Sequence, residues 1–166
     1  MPVTFIPYRF AAGAPIPQPG EIYIKEIAAD GSNRFQVLRC TGTGLDHFVA
    51  KFDNQRQAAV FGCKLADAEA ELAEQIAHGT VEQALFAWFK VAWVEHQAAE
   101  LVPLLFEYLC EQFGCDEDEL RDAIDDLEEV GLIEAEGISA RLSARGVMVC
   151  NDANELTVAL AEIDPE

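Results

Sequence analysis

The spacing of the apolar residues changes part-way along the chain, and this change does most to restrict the fold. Between residues 21 and 52, three short runs alternate apolar with polar side chains, as in Phe35, Gln36 and Val37. A period of two is typical of a half-buried β-strand. From Gln55 onwards, apolar residues recur every three or four positions, which is the spacing of one face of an α-helix. The sequence therefore predicts an α+β fold in which strands precede helices.

The first half of the chain is predicted to contain a β-meander and a helix. The three predicted strands cover residues 21–27, 34–40 and 47–52. Short, turn-rich segments connect them, which suits a three-stranded antiparallel meander. A helix over residues 55–78 follows, and Gly79 suits its end.

Prolines mark a separate segment at the N-terminus. Five of the seven prolines lie in residues 1–20, which predicts an extended, proline-rich arm because proline lacks the N–H group that a helix needs. We therefore divide the chain into an arm at 1–20, a meander plus helix at 21–79, and a helical region at 80–166.

The helical region is predicted to contain several shorter elements. The helix that follows Thr80 is apolar almost all round, so we expect it to be buried on most sides, in a monomer core or in a homodimer interface. Pro103 predicts the start of another helix, which Gly114 ends. Two short strands with a turn near Gly137 come next, and Asp152 starts a short C-terminal helix.

The most acidic stretch of the chain is also a clear helix pattern. Residues 116–129 contain nine carboxylates and one arginine, a net charge of −8. Asp116 opens a capping box at the start of this stretch. Leu120, Ile124 and Leu127 recur at intervals of four and three, so they form an apolar stripe that packs inward. The carboxylates fall on the opposite arc.

The negative charge is concentrated in one part of the sequence. Residues 1–66 contain seven basic and five acidic residues, a net charge of +2, whereas residues 67–166 contain four and 25, a net charge of −21. These two values make up the total of −19. Acid spread over the whole surface, as in a halophile, would not leave the first part slightly basic. A solubilising surface and a binding surface remain as the two explanations.

The sequence contains no pattern that predicts catalysis, a cofactor or a metal. His47, His78 and His96 are isolated, and the five cysteines show neither zinc spacing nor a C-x-x-C pair. We expect reduced cysteines in a cytoplasmic, non-enzymatic protein. A membrane-spanning segment is not expected, because no stretch of about 18 apolar residues occurs.

Residues 100–149 resemble the winged helix-turn-helix superfold. The run D-E-L-R-D-A-I-D-D-L-E-E-V-G-L-I-E is similar to its third helix, and I-S-A-R-L-S-A-R-G is similar to the wing and the turn that follows it at 142–146. The resemblance implies a helical region that ends in a winged-helix-like unit. This sequence departs from DNA-reading members in two ways. The helix before Gly114 is long for a second helix, and the third helix is acidic where DNA requires basic residues.

We therefore predict an acidic protein-interaction module. Its charge pattern is similar to that of DNA-mimic inhibitors, the viral anti-defence and anti-CRISPR type that phages use against nucleic-acid-binding machinery. The expected partner is a basic surface on a nucleic-acid-binding protein, with no direct contact to nucleic acid or membrane. The expected partner-binding residues are Asp116, Glu117, Asp118, Asp122, Asp125, Asp126 and Glu129. Trp88 and Trp93 are the expected apolar anchors.

Two alternatives follow from the same resemblance. The chain could be a winged-helix adaptor subunit of a larger assembly, held by its tryptophans or its proline-rich arm. It could also be a DNA-binding transcriptional regulator that places Arg141 and Arg145 on phosphates.

Overall fold

A computed structural model describes residues 3–9 and 16–163 of the chain. The strands in these parts are β1 (Thr4–Ile6), β2 (Ile22–Glu26), β3 (Phe35–Arg39), β4 (His47–Phe52), β5 (Val102–Pro103), β6 (Ile133–Glu136) and β7 (Ser139–Leu142). The helices are α1 (Gln55–His78), α2 (Val81–His96), α3 (Phe106–Phe113), α4 (Glu117–Glu129), α5 (Ala144–Val149) and α6 (Ala153–Ala161). The predicted α+β class, with strands first and helices after them, is confirmed.

The chain divides into two compact units, Met1–Asp67 and Ala68–Glu166. The division falls within α1, whose predicted extent of 55–78 is confirmed. The sequence pattern predicts the boundary at the end of this helix, at Gly79. We describe each unit by itself.

Unit 1 is built on a four-stranded sheet in the order β1-β2-β3-β4. The predicted antiparallel meander is present as β2, β3 and β4. β1 adds a fourth strand, parallel to β2, inside the segment expected to be an extended arm. Residues 1–2 and 10–15 of that arm lie outside the described residues. Aromatic contact helps to hold β1, because the rings of Phe5 and Phe35 lie 6.3 Å apart.

The sheet and the first part of α1 enclose the core of unit 1. The alternation of β3 buries Phe35 and Val37, as its period of two predicts. On α1, Phe61 is buried and its ring lies 5.2 Å from that of Phe52. The close approach of Gly62 to Ile22 brings the helix backbone near the sheet.

Unit 2 contains a three-stranded antiparallel sheet in the order β5-β7-β6. The predicted turn near Gly137 is confirmed, and this glycine has a φ of 62°. α2 lies in the core, where five of its residues are buried. The side chain of Thr80 caps this helix by accepting a hydrogen bond from the N–H of Gln83 at 3.2 Å.

The predicted helix start at Pro103 is wrong. Val102 and Pro103 form β5 and pair with Ala140 and Ser139 of β7, and α3 begins only at Phe106. β5 is an edge strand, a position that tolerates proline because no ladder hydrogen bond is lost on the free side. α3 ends at Gly114, as predicted, with a φ of 66°.

The segment expected to be a turn at 142–146 instead starts α5. The Ser143 side chain caps this helix by accepting a hydrogen bond from the N–H of Gly146 at 3.0 Å. The N–H of Ser143 donates to the carbonyl of Leu132 at 3.0 Å. These contacts hold α5 against the start of β6.

Two further expectations concern the chain as a whole. No helix in the described residues is long and apolar enough to cross a membrane. The five cysteines are free thiols, of which Cys40 and Cys150 are buried and the others half-buried.

Candidate functional site

The acidic helix α4 presents one face to the core and another to solvent. Asp116 precedes it and accepts a hydrogen bond from the N–H of Glu119 at 2.8 Å, which is a favourable N-cap. The predicted inward stripe is confirmed, because Leu120, Ile124 and Leu127 are buried together with Ala123. The core fixes the orientation of the helix and therefore of its carboxylates.

Four carboxylates lie directly opposite this stripe, and we call them the outer ridge. They are Asp118, Asp122, Asp125 and Glu129. Their spacing of four, three and four residues keeps them on one line along the helix, and all four are exposed. At a rise of 1.5 Å per residue, the ridge is about 16 Å long.

Three of the other five acids at this helix make hydrogen bonds or ion pairs within the protein. Asp116 is the N-cap, and Glu117 pairs with Arg121 at 2.9 Å. Glu128 accepts a hydrogen bond from the N–H of Ala135 on β6 at 3.0 Å. The structure therefore separates the predicted partner-binding set into residues with an internal contact and the outer ridge.

Asp126 is half-buried and lies beside Glu82 of α2. Burial raises the pKa of Asp126 above its usual value, and a hydrogen bond and repulsion from Glu82 raise it further. Asp122 and Glu129 add smaller effects in the same direction. Asp126 is thus directed towards α2 rather than along the ridge.

The cations of unit 2 are engaged elsewhere. Its basic residues number four, and each lies in an ion pair: Lys90 with Glu71, Arg121 with Glu117, Arg141 with Glu134, and Arg145 with Glu162. Arg145 also donates to the carbonyl of Val130. Within the described residues, no ion pair involves an outer-ridge carboxylate.

The C-terminal turn of α4 is acidic, which is unfavourable for the helix. The partial charge at a helix C-terminus is negative and favours cations, yet this turn contains Asp126, Glu128 and Glu129 and no basic residue. A pair of like charges four residues apart, such as Asp125 and Glu129, also destabilises the helix by a few tenths of a kcal/mol. Of these three acids, Glu128 has a contact within the fold, the hydrogen bond from Ala135, whereas Glu129 is exposed and no ion pair within the described residues involves it.

Comparison with known proteins adds no relative. No family model, curated protein or solved structure matches the chain. The function must therefore be inferred from the surface itself.

The expected apolar anchors pack inward. Trp88 and Trp93 are half-buried and contact the core of unit 2, and Trp88 makes an edge-on contact with Phe89 at 5.2 Å between ring centroids. More exposed apolar side chains lie near the start of α3, where Leu105 and Tyr108 are 59% and 51% exposed. The sequence pattern missed them because it placed Leu105 inside a helix.

Cys115 and Cys150 of unit 2 are poorly suited to nucleophilic chemistry. Burial raises the pKa of Cys115 to about 11, and neighbouring Cys110, Glu119 and Asp116 contribute to the shift. Burial likewise raises the pKa of Cys150 to about 12. Both thiols stay protonated at neutral pH, whereas a nucleophilic cysteine needs the thiolate. Among the described residues, no His, Cys, Asp and Glu side chains cluster in a way that could hold a metal ion.

Proposed function

We propose that this protein is a non-enzymatic interaction module whose outer ridge binds a basic surface on a nucleic-acid-binding protein. The observation that carries the proposal is that Asp118, Asp122, Asp125 and Glu129 are fixed on one exposed line and take part in no ion pair within the described residues, while the cations of unit 2 pair with other acids. A partner with lysines and arginines would supply the missing counter-charge.

The charge density of α4 supports a nucleic-acid-binding protein as the partner. Residues 116–129 carry a net charge of −8 over a length of about 21 Å, or about one charge per 2.6 Å. Duplex DNA carries one per about 1.7 Å. A groove that binds phosphates would therefore attract this helix, in the manner of a DNA-mimic inhibitor.

We further propose that residues 100–149 form a winged-helix-like unit. Two consecutive helices, α3 and α4, are separated by residues 114–116, and the β6–β7 hairpin follows directly. Because β5 contains Val102 and Pro103, α3 is eight residues long, and the mismatch expected from a longer second helix disappears. In this arrangement α4 occupies the place of the DNA-reading helix.

The arginines of β7 and α5 favour protein binding over the DNA-binding regulator. Arg141 pairs with Glu134 at 3.0 Å, and Arg145 pairs with Glu162 at 3.2 Å. Contact with phosphate would require both pairs to break beside an acidic helix that repels the duplex over a Debye length of about 8 Å. The adaptor alternative would use Trp88 and Trp93 or the proline-rich arm as its apolar anchor, and both tryptophans pack against the core of unit 2.

Displacement of proteins from immobilised duplex DNA tests the proposal. A cell extract is loaded on the DNA, and the purified protein is added at low salt. We expect it to release a set of DNA-bound proteins, identified by mass spectrometry. The outer-ridge variant Asp118→Asn, Asp122→Asn, Asp125→Asn, Glu129→Gln should release none of them, because steering by the ridge is lost.

A control with the same change in charge separates the ridge from overall acidity. Asp30→Asn, Glu74→Gln, Glu100→Gln and Glu155→Gln remove four exposed carboxylates from dispersed positions. This variant should release the same proteins as the wild type. Equal loss of release in both variants would show that net charge, not the ridge, is responsible.

A further inference from the structure

A shallow groove at the start of α3 combines apolar side chains with acidic ones. Its volume is about 520 Å³, and it is lined by Leu104, Leu105, Phe106, Glu107, Tyr108 and Glu111. Leu104 is buried and Phe106 half-buried, whereas Leu105 and Tyr108 are 59% and 51% exposed. The two glutamates are exposed. An apolar site with an acidic rim suits an apolar side chain flanked by cations.

The tip of the β6–β7 hairpin extends this apolar surface. The N–H of Leu104 donates to the carbonyl of Ile138 at 2.7 Å, which fixes the tip beside the groove. The Ile138 side chain is 80% exposed. Exposed apolar side chains therefore lie on both sides of this hydrogen bond, at Leu105 next to Leu104 and at Ile138.

Leu105 has no structural reason to be leucine. It is the N-cap of α3 and makes no side-chain capping hydrogen bond, although serine, threonine, aspartate and asparagine are the residues that stabilise this position. The Leu105 side chain is also largely exposed, so it contributes little to the stability of the core. A residue that is unfavourable as a cap and exposed to water is expected where a partner covers it.

The groove is continuous with the acidic helix. The guanidinium of Arg121 on α4 lies 5.5 Å from the ring centroid of Phe106, which lines the groove, and Arg121 pairs with Glu117. Arg121 lies on the flank of α4 next to the outer ridge. A single partner segment of modest length therefore reaches both surfaces.

We propose that Leu105, Tyr108 and Ile138 form the apolar anchor site for the basic partner, and that the partner presents an apolar side chain flanked by lysine or arginine. This inference rests on the proposed function and names its second contact. A second copy of this chain is a poorer occupant, because Glu107 and Glu111 would meet an equally acidic unit that contains four basic residues.

Two synthetic peptides test the anchor site. Both have the same length and the same number of lysines at helical spacing, but one carries leucine and the other serine at the remaining positions. We expect the wild-type protein to bind the leucine peptide about tenfold more tightly than the serine peptide, as measured by fluorescence anisotropy.

The double variant Leu105→Ser, Ile138→Ser should bind both peptides with the affinity of the serine peptide. Serine is a good N-cap, so Leu105→Ser alone should not lower the melting temperature, and loss of binding is then not a loss of folding. Val158→Ser is the matched control, because Val158 on α6 is 59% exposed like Leu105 but lies outside the groove. It should leave both affinities unchanged.

The outcomes distinguish the anchor site from the proposed function. If the double variant keeps the tenfold preference for leucine, the anchor site is wrong. If neutralising the outer ridge leaves the affinity for the serine peptide unchanged, the proposed function fails instead. Sedimentation that shows a dimer of the wild type, lost in the double variant, would assign the groove to a second copy and overturn this inference.

Discussion

At the scale of single residues, Asp126 differs from its neighbours on α4 because it faces another carboxylate. Glu82 lies beside it, and burial together with this neighbour raises the pKa of Asp126. A raised pKa means that the ionised form is less favourable in the folded protein than in the unfolded chain. Protonated Asp126 therefore contributes to the stability of the folded protein relative to ionised Asp126. This contribution is fully present below the pKa of Asp126 in the unfolded chain, and it is lost as pH rises through the pKa in the folded protein.

We therefore expect Asp126→Asn to stabilise the protein at pH 7, by a few tenths of a kcal/mol, and to have little effect below about pH 3, where the carboxyl is protonated in both states. Urea denaturation at the two pH values measures this. Asp118→Asn is the control, because Asp118 lies in the first turn of α4 and favours the helix dipole. Asp118→Asn should slightly destabilise the protein at pH 7. A loss of stability from Asp126→Asn at pH 7 would show that the Glu82 contact is favourable.

Residue roles that depend on local spacing could be predicted, and those that depend on distant contacts could not. The capping role of Asp116 and the burial of Leu120 and Leu127 follow from their positions along one helix. The contact of Arg145 with the Val130 carbonyl joins residues 15 apart in sequence. No local pattern indicates this contact, so the sequence alone offers Arg145 as a phosphate contact instead.

At the scale of elements, the strongest periodic patterns gave correct boundaries. α1 and α4 contain enough turns for an apolar stripe to be recognised. β1 and β5 contain three and two residues, too few to show a period, and each forms because a neighbouring strand offers free hydrogen-bonding groups. α5 was missed for a similar reason, because six residues do not display a helical stripe.

The packing of α5 makes a further prediction. Gly146 is buried, and a Cβ at this position would overlap the carbonyl oxygen of Leu132. Gly146→Ala should therefore destabilise unit 2 by about 1–3 kcal/mol, as overpacking does. Thermal denaturation followed by circular dichroism would measure the change. A melting temperature equal to that of the wild type would show that α5 does not approach Leu132 this closely.

Neutralising the outer ridge should not weaken α4. The replaced carboxylates repel one another at spacings of three and four residues, and Glu129 opposes the helix dipole. We expect the four-residue ridge variant to be as stable as the wild type or slightly more stable in urea denaturation. Marked destabilisation would indicate that the ridge stabilises the fold, which would favour a structural origin for the charge.

At the scale of the whole molecule, the charge is divided unequally between the units. Unit 1 contains seven basic and six acidic residues, a net charge of +1, and unit 2 contains four and 24, a net charge of −20. Association steered by unit 2 should be fast and strongly weakened by salt. The division also argues against a uniform solubilising role, because such a role would charge both units.

The same charge distribution predicts that the free protein does not bind nucleic acid. A gel-shift experiment with random duplex DNA should show no retardation, since unit 2 has no unpaired cation among its four basic residues. Saturable retardation, weakened by salt, would instead support the DNA-binding regulator.

The most direct test of the central claim is the salt dependence of affinity for a partner released from DNA. Binding of the wild type, the outer-ridge variant and the dispersed control would be titrated between about 50 and 200 mM salt. We predict that the ridge variant binds at least about tenfold more weakly at low salt and shows a flatter salt dependence, while the dispersed control retains most of the wild-type affinity and slope. Equal weakening in both variants, or none in either, would contradict the assignment of the outer ridge as the binding surface.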